Sequence, residues 1–155
     1  MKNNYINIYN NLINLTRNKK LYSSINREDT FSDRLIFFLL HFSFFLKNFK
    51  NKEDKIKLQE IYDFNFRQLE LSIREIGYGD QSINKKMKDY INTFHSMISE
   101  VHYWNISDRS KKIEIIKSFL DDYSNIEELI DYFDEFNMIL SKNTLNSYLK
   151  SVSNQ

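Results

Sequence analysis

Apolar residues recur every three or four positions through most of this chain, a spacing that puts them on one face of successive helices. Over residues 4–16 that face is Tyr5, Ile8, Tyr9, Leu12, Ile13 and Leu15, and the basic run from Arg17 to Lys20 follows where the helix dipole favours positive charge. After an irregular piece at 23–29, Thr30-Phe31-Ser32-Asp33 has the form of a capping box with Asp in place of Glu. It opens the most apolar segment. Over residues 35–46 every position is hydrophobic except His41 and Ser43. A membrane span needs about 20 apolar residues, so this is a core or interaction helix. Phe31, Leu35, Phe38, Phe42, Phe45 and Phe49 form one seam and leave Ile36, Phe37, Leu40 and Phe44 on other faces. Either the helix is covered on all sides or it exposes an apolar groove to a client.

The third helix, 55–76, carries Leu58, Tyr62, Phe66, Leu69, Ile73 and Ile76. The fourth continues with Ile83, Met87, Tyr90, Phe94, Met97, Val101 and Trp104, and the two are expected to pair as a long central hairpin. Between them lies Arg74-Glu75-Ile76-Gly77-Tyr78-Gly79-Asp80, which contains both glycines of a chain without proline. Gly77 suits the left-handed position that closes a helix, Gly79 lets the chain tighten, and Asp80 or Ser82 can cap the next helix. Arg74, Glu75 and Asp80 crowd opposite charges onto this corner. Lys85, Lys86 and Lys88 follow on the polar face of the fourth helix, either as a solvated surface or as a contact for an acidic or phosphate-bearing partner. Past Asn105 a shorter helix begins at Ser107 or Ser110, with Ile113, Ile116, Phe119 and Leu120 inward. Ser124-Asn125-Ile126-Glu127 is a capping box for another, with Ile126, Leu129, Ile130 and Phe133 on one face, and one more short helix occupies 142–150. The reading is all-α: a helical bundle of about six to seven helices in one domain over residues 1–155.

Composition narrows the function. Among 155 residues, 41% are hydrophobic, 15% aromatic and 28% charged, the balance of a globular chain. Lys and Arg number 22 against 21 for Asp and Glu, so a net charge of +1 draws the protein to no polyanion globally. With no cysteine there is no thiolate nucleophile or thiolate metal site. The Asn-rich start, with Ile6, Tyr9, Leu12, Ile13 and Leu15 at helical spacing inside it, is a helix rather than a low-complexity tract. The start lacks the apolar core of a secretory signal and the character of a transit peptide, from which a cytoplasmic protein is expected. None of His41, His95 and His102 has a Glu three residues before it, and the glycines fit neither a phosphate loop nor a dinucleotide fingerprint. No catalysis, metal or cofactor is expected. The competing reading is a metal-holding helical enzyme built on His95, His102 and nearby carboxylates such as Glu100, or else a generic helical adaptor.

A set of motifs sharpens this. Tyr9, Leu12, Ile13, Arg17, Tyr22, Asp29-Thr30 and Arg34, then Leu40-His41, then Arg74-Glu75, Gly77, Gly79-Asp80 and the lysines 85–88 stand in an order and spacing that resemble the ubiquinol-cytochrome c chaperone family. The resemblance covers about residues 5–105 and leaves 106–155 as divergent closing helices. Departures are Glu28 and Asp33, where the family has proline and glycine, and Phe94-His95-Ser96-Met97, where it has Phe-Tyr-Gly-Arg. The resemblance implies a non-catalytic assembly factor that holds newly made cytochrome b, works with a small helical partner near the ribosome, and acts peripherally at the inner membrane of a bacterium. It implies partner contacts at Arg34, His41, Arg74, Glu75, Gly77, Gly79, Asp80, Lys85, Lys86 and Lys88, and a hydrophobic client surface on the second helix.

Overall fold

A computed structural model describes residues 4–21, 31–121 and 123–150. Among the described residues seven helices follow in order: α1 (Tyr5–Thr16), α2 (Phe31–Phe49), α3 (Lys55–Glu75), α4 (Asp80–Val101), α5 (Arg109–Phe119), α6 (Ile126–Lys142) and α7 (Asn146–Leu149). Two short 3-10 turns, Lys19–Leu21 and Trp104–Ile106, join them. The described residues form no strand, and the all-α bundle expected from the periodicity is the fold. Tyr22, Glu28, Asp29, the capping Thr30 and Asp122 lie outside the described residues.

Helix boundaries follow local chemistry. The Asp54 carboxylate accepts from the Lys57 N–H at 2.7 Å and starts α3, and Asp108 does the same for α5 through the Lys111 N–H at 2.8 Å. Asp108, not Ser107 or Ser110, is therefore the cap of α5. The box at Ser124 does not form as read: α6 begins at Ile126 with Asn125 in the cap position, and Glu127 is engaged by the Arg109 guanidinium, which also donates to Asp131 at 2.9 Å.

α2 is the axis of the molecule. Phe38 meets Tyr9 of α1 at 5.4 Å between ring centroids, Phe42 stacks on Phe94 of α4 at 5.0 Å, and Phe44 stacks on Phe133 of α6 at 5.1 Å. Phe45 meets Tyr148 of α7 edge-on at 5.3 Å. An all-round apolar helix of this kind is stable only when enclosed, since each large side chain returned to water forfeits about 1.5–3 kcal/mol. The enclosure corrects two expectations. Phe37, Leu40 and Phe44 are fully buried and Ile36 is half-buried, so these faces of α2 are covered and not open to a client. α3 and α4 do form an antiparallel hairpin, but α4 packs chiefly on α2; α3 touches it through Tyr62 and Phe66 around Phe94. The greasier perimeter of α2 outcompetes the hairpin seam. Among the described residues, no helix is long and apolar enough to cross a membrane.

The first and last helices close on one another. The Asn7 side-chain amide donates to the Leu149 carbonyl at 2.8 Å, and that of Asn11 donates to the Tyr148 and Lys150 carbonyls at 3.0 and 3.1 Å. These carbonyls at the end of α7 have no further turn of helix to accept from, and the asparagines of α1 satisfy them.

Candidate functional site

The α3–α4 corner is built around one backbone choice. Ile76 is the last residue near helical geometry, and Gly77 follows at φ +101°, where its N–H still donates to the Arg74 carbonyl at 3.0 Å. A side chain there would meet nothing within 4 Å, so glycine is required by backbone conformation and not by space. Gly79 differs: at φ −73° and ψ 162° it is ordinary extended backbone in the cap position of α4, also in open space. Neither turn geometry nor crowding demands a glycine at 79.

Asp80 does not cap α4. It stands in the first turn, where the dipole favours an anion, and accepts from the Arg74 Nη1 at 2.9 Å; Arg74 Nε also lies 3.5 Å from Glu70. The Asp80 hydrogen bond, ahead of the Glu70 charge, holds the exposed Arg74 guanidinium above its ordinary range, so it is charged at every accessible pH. Lys86 lies over the Tyr78 ring at 4.5 Å. Glu75, Lys85 and Lys88 are exposed. The corner also leaves Ile76 49% and Tyr78 41% exposed, which gives a charged site two apolar contacts for a partner.

Arg34 belongs to the same end of the bundle. It lies one helical turn before Phe38, which packs on Tyr9, and the Tyr9 hydroxyl pairs with that of Ser72 at 3.3 Å, two residues before Arg74. The first turns of α2 and α4 and the last turns of α1 and α3 thus lie toward one pole, where Arg17 and Arg34 line one groove and Arg74 pairs with Asp80 at the corner.

His41 is not at that surface. It is wholly buried, 2.6 Å from the Phe37 carbonyl through Nδ1 and 2.6 Å from the Tyr132 hydroxyl through Nε2. A carbonyl only accepts, so Nδ1 carries the proton and Nε2 accepts from Tyr132. Burial lowers its pKa from 6.5 to about 4, against the opposing pull of the Phe37 carbonyl, and the ring is neutral. Its place is structural, joining α2 to α6, and the expected partner contact at His41 is withdrawn. His95 pairs with the Tyr62 hydroxyl at 3.1 Å, and His102 packs edge-on against Tyr103. Among the described residues no three His, Asp or Glu side chains converge as a ligand set.

The sequence reading missed the groove beside Arg34, lined also by Arg17 and Lys19. Its signal in the sequence is the basic run at the end of α1, which the helix dipole alone also favours.

The α3–α4 corner is one place in this all-α bundle where exposed charge stands beside exposed apolar side chains, Ile76 and Tyr78. The profile of the ubiquinol-cytochrome C chaperone family matches residues 23–102, more than half of the chain, from before α2 to the end of α4 and including the whole corner. The chain belongs to this family, and with it comes the role of a chaperone in assembly and a client protein as partner. No curated protein and no solved structure gives a significant match.

Proposed function

We propose that the protein binds newly made cytochrome b and holds it until it joins the growing ubiquinol-cytochrome c reductase, without itself catalysing a reaction. The observation that carries this reading is the family match over the α2–α4 segment with the charged corner inside it. With α2 enclosed, the client contact moves to the pole: the Arg74–Asp80 pair, Glu75, Gly77 and Gly79, Lys85, Lys86 and Lys88, with Ile76 and Tyr78 supplying the apolar part and Arg34 close by. Charged groups around a small apolar centre fit the anatomy of a transient protein interface. A ribosomal surface and a small helical partner subunit are further occupants of the same pole, and the inner face of a bacterial membrane is the place of action.

The test is replacement of Arg74 and Asp80 together by alanine. Both are exposed, so the fold is expected to survive, as a thermal melt would show. Cytochrome b accumulation in the host should fall, and crosslinking of the tagged protein to cytochrome b should fall with it. Normal accumulation with a folded variant would reject the corner as the contact. Absence of cytochrome b from crosslinked material of the unaltered protein would reject the client.

A further inference from the structure

The outer face of α6 carries a strip that is complementary to itself. Glu135, Met138, Ile139 and Lys142 stand at i, i+3, i+4 and i+7, which puts them on one side of the helix, and all are exposed. Their order is anion, apolar, apolar, cation. Neither Glu135 nor Lys142 has a partner among the described residues, whereas Glu127, Asp131 and Asp134 of the same helix are engaged by Arg109 and Lys112. The strip widens on one flank, where the Asn137 amide donates to Asn105 at 2.7 Å and sets the 3-10 turn Trp104–Ile106 beside it. Tyr103 and Ile106 lie three apart in that turn, hence on one side of it, and Ile106 is 83% exposed. Lys52, in the bend after α2, donates to the Ser141 carbonyl at 2.8 Å, so this surface lies at the far end of α2 from the Arg74–Asp80 corner. It also lies beyond residues 23–102 of the family match, and its role is independent of the client reading.

The order along the strip selects the partner. A helix laid antiparallel on it must set a cation level with Glu135 and an anion level with Lys142. Read in its own direction, such a helix runs anion, apolar, apolar, cation, which is the order of α6. We propose that the occupant is a second copy of this chain, the two α6 helices packing antiparallel about a two-fold axis between Met138 and Ile139. Met138 of each copy then lies level with Ile139 of the other, and Glu135 with Lys142, as a self-complementary interface requires. A parallel approach would set like charge against like. Tyr103 and Ile106 of both copies flank the axis and extend the apolar centre, with the charges as its rim. A contact this short belongs with small, reversible interfaces, and it leaves both corners free.

The experiment is sedimentation of the full chain in low salt from about 1 µM to about 1 mM. A monomer–dimer equilibrium is expected. E135K and K142E should each weaken it by roughly tenfold, because the two-fold axis doubles every charge conflict. The double variant E135K/K142E should restore it, since the exchanged charges again meet their opposites. Met138→Glu should abolish it. These positions are exposed, so the fold is expected to survive, as far-ultraviolet dichroism would show. Should a variant not fold, crosslinking decides. The chain has no cysteine, so Met138→Cys adds a lone thiol close to the axis, and Glu128→Cys adds one roughly 15 Å along the helix from it. Under mild oxidant the first should give a disulfide-linked dimer and the second should not. A chain still monomeric at about 1 mM, a dimer indifferent to Met138→Glu, or a double variant no tighter than the single ones would overturn the proposal. Crosslinking through position 128 but not through 138 would do the same.

Discussion

At the residue scale, the neutrality of His41 has a measurable consequence. The unfolded chain takes up a proton on this ring below pH 6.5, whereas the folded core refuses it until about pH 4. The folded pKa is depressed, so the unfolded state binds more protons across that window. Stability is then present above pH 6.5 and is lost as pH falls toward 4. Between about pH 7 and about pH 5 the loss comes to about 2 kcal/mol from this one group. Other groups titrate in the same range, so a difference is needed. His41→Gln keeps polar atoms near Phe37 and Tyr132 but cannot be protonated. Urea unfolding at the two pH values should show a smaller drop for the variant by about that amount. Equal drops would mean that His41 is not held neutral. The glycines teach a related lesson. Both look alike in sequence, yet the left-handed backbone at Gly77 demands glycine and the extended backbone at Gly79 does not.

At the scale of elements, the last third of the chain is fixed by one buried aromatic. Trp104 is 1% exposed, lies against Phe44 of α2, and donates its indole N–H to Asp134 of α6 at 2.8 Å. Asp134 also accepts from Lys112 of α5 at 2.9 Å, and Lys112 lies over the indole at 5.3 Å. One carboxylate therefore ties α5, α6 and the turn after α4 together. Asp134→Ala strands an indole donor and leaves a lysine that is 17% exposed without its counter-charge. A loss of about 1–3 kcal/mol is expected in chemical denaturation. Arg109→Ala, which removes the exposed contacts to Glu127 and Asp131, should cost much less. A larger effect at Arg109 than at Asp134 would overturn this assignment. These ties also mark how far the sequence could be read. The helices were legible because apolar period is local: the α4 face from Ile83 to Trp104 and the α6 face from Leu129 to Phe133 lie inward as the spacing requires. Partners were not. Asn11 and Lys150, His41 and Tyr132, and Arg109 and Glu127 meet across long stretches of chain, and no spacing rule encodes who meets whom. The corner was legible as a turn with charge on it, but the direction of Asp80 toward Arg74 rather than toward the helix cap was not, because both satisfy the same local chemistry.

At the scale of the whole molecule, the family match and the packing divide the chain differently. The match stops at residue 102, whereas the enclosure of α2 requires what lies on either side. Phe44 is covered by Trp104, Phe133 and Phe136, Phe45 and Phe49 by Tyr148, and Phe38 by Tyr9. A fragment of residues 23–102 would return much of this aromatic surface to water. At about 1.5–3 kcal/mol for each large side chain, four of them account for about 6–12 kcal/mol. That rivals the entire stability of an ordinary domain, roughly 5–15 kcal/mol. The fragment is therefore expected to form helix without a fixed core, with strong binding of a hydrophobic dye, weak near-ultraviolet dichroism and no cooperative melt, while the full chain melts in one transition. A cooperative fragment would show instead that α1 and α5–α7 are accessories to an independent α2–α4 unit. The outcome also bears on function. The charged pole is built from the ends of α1, α2, α3 and α4, so its geometry depends on the same enclosure. A fragment without a fixed core would lose client binding even though every residue of the Arg74–Asp80 corner is present in it.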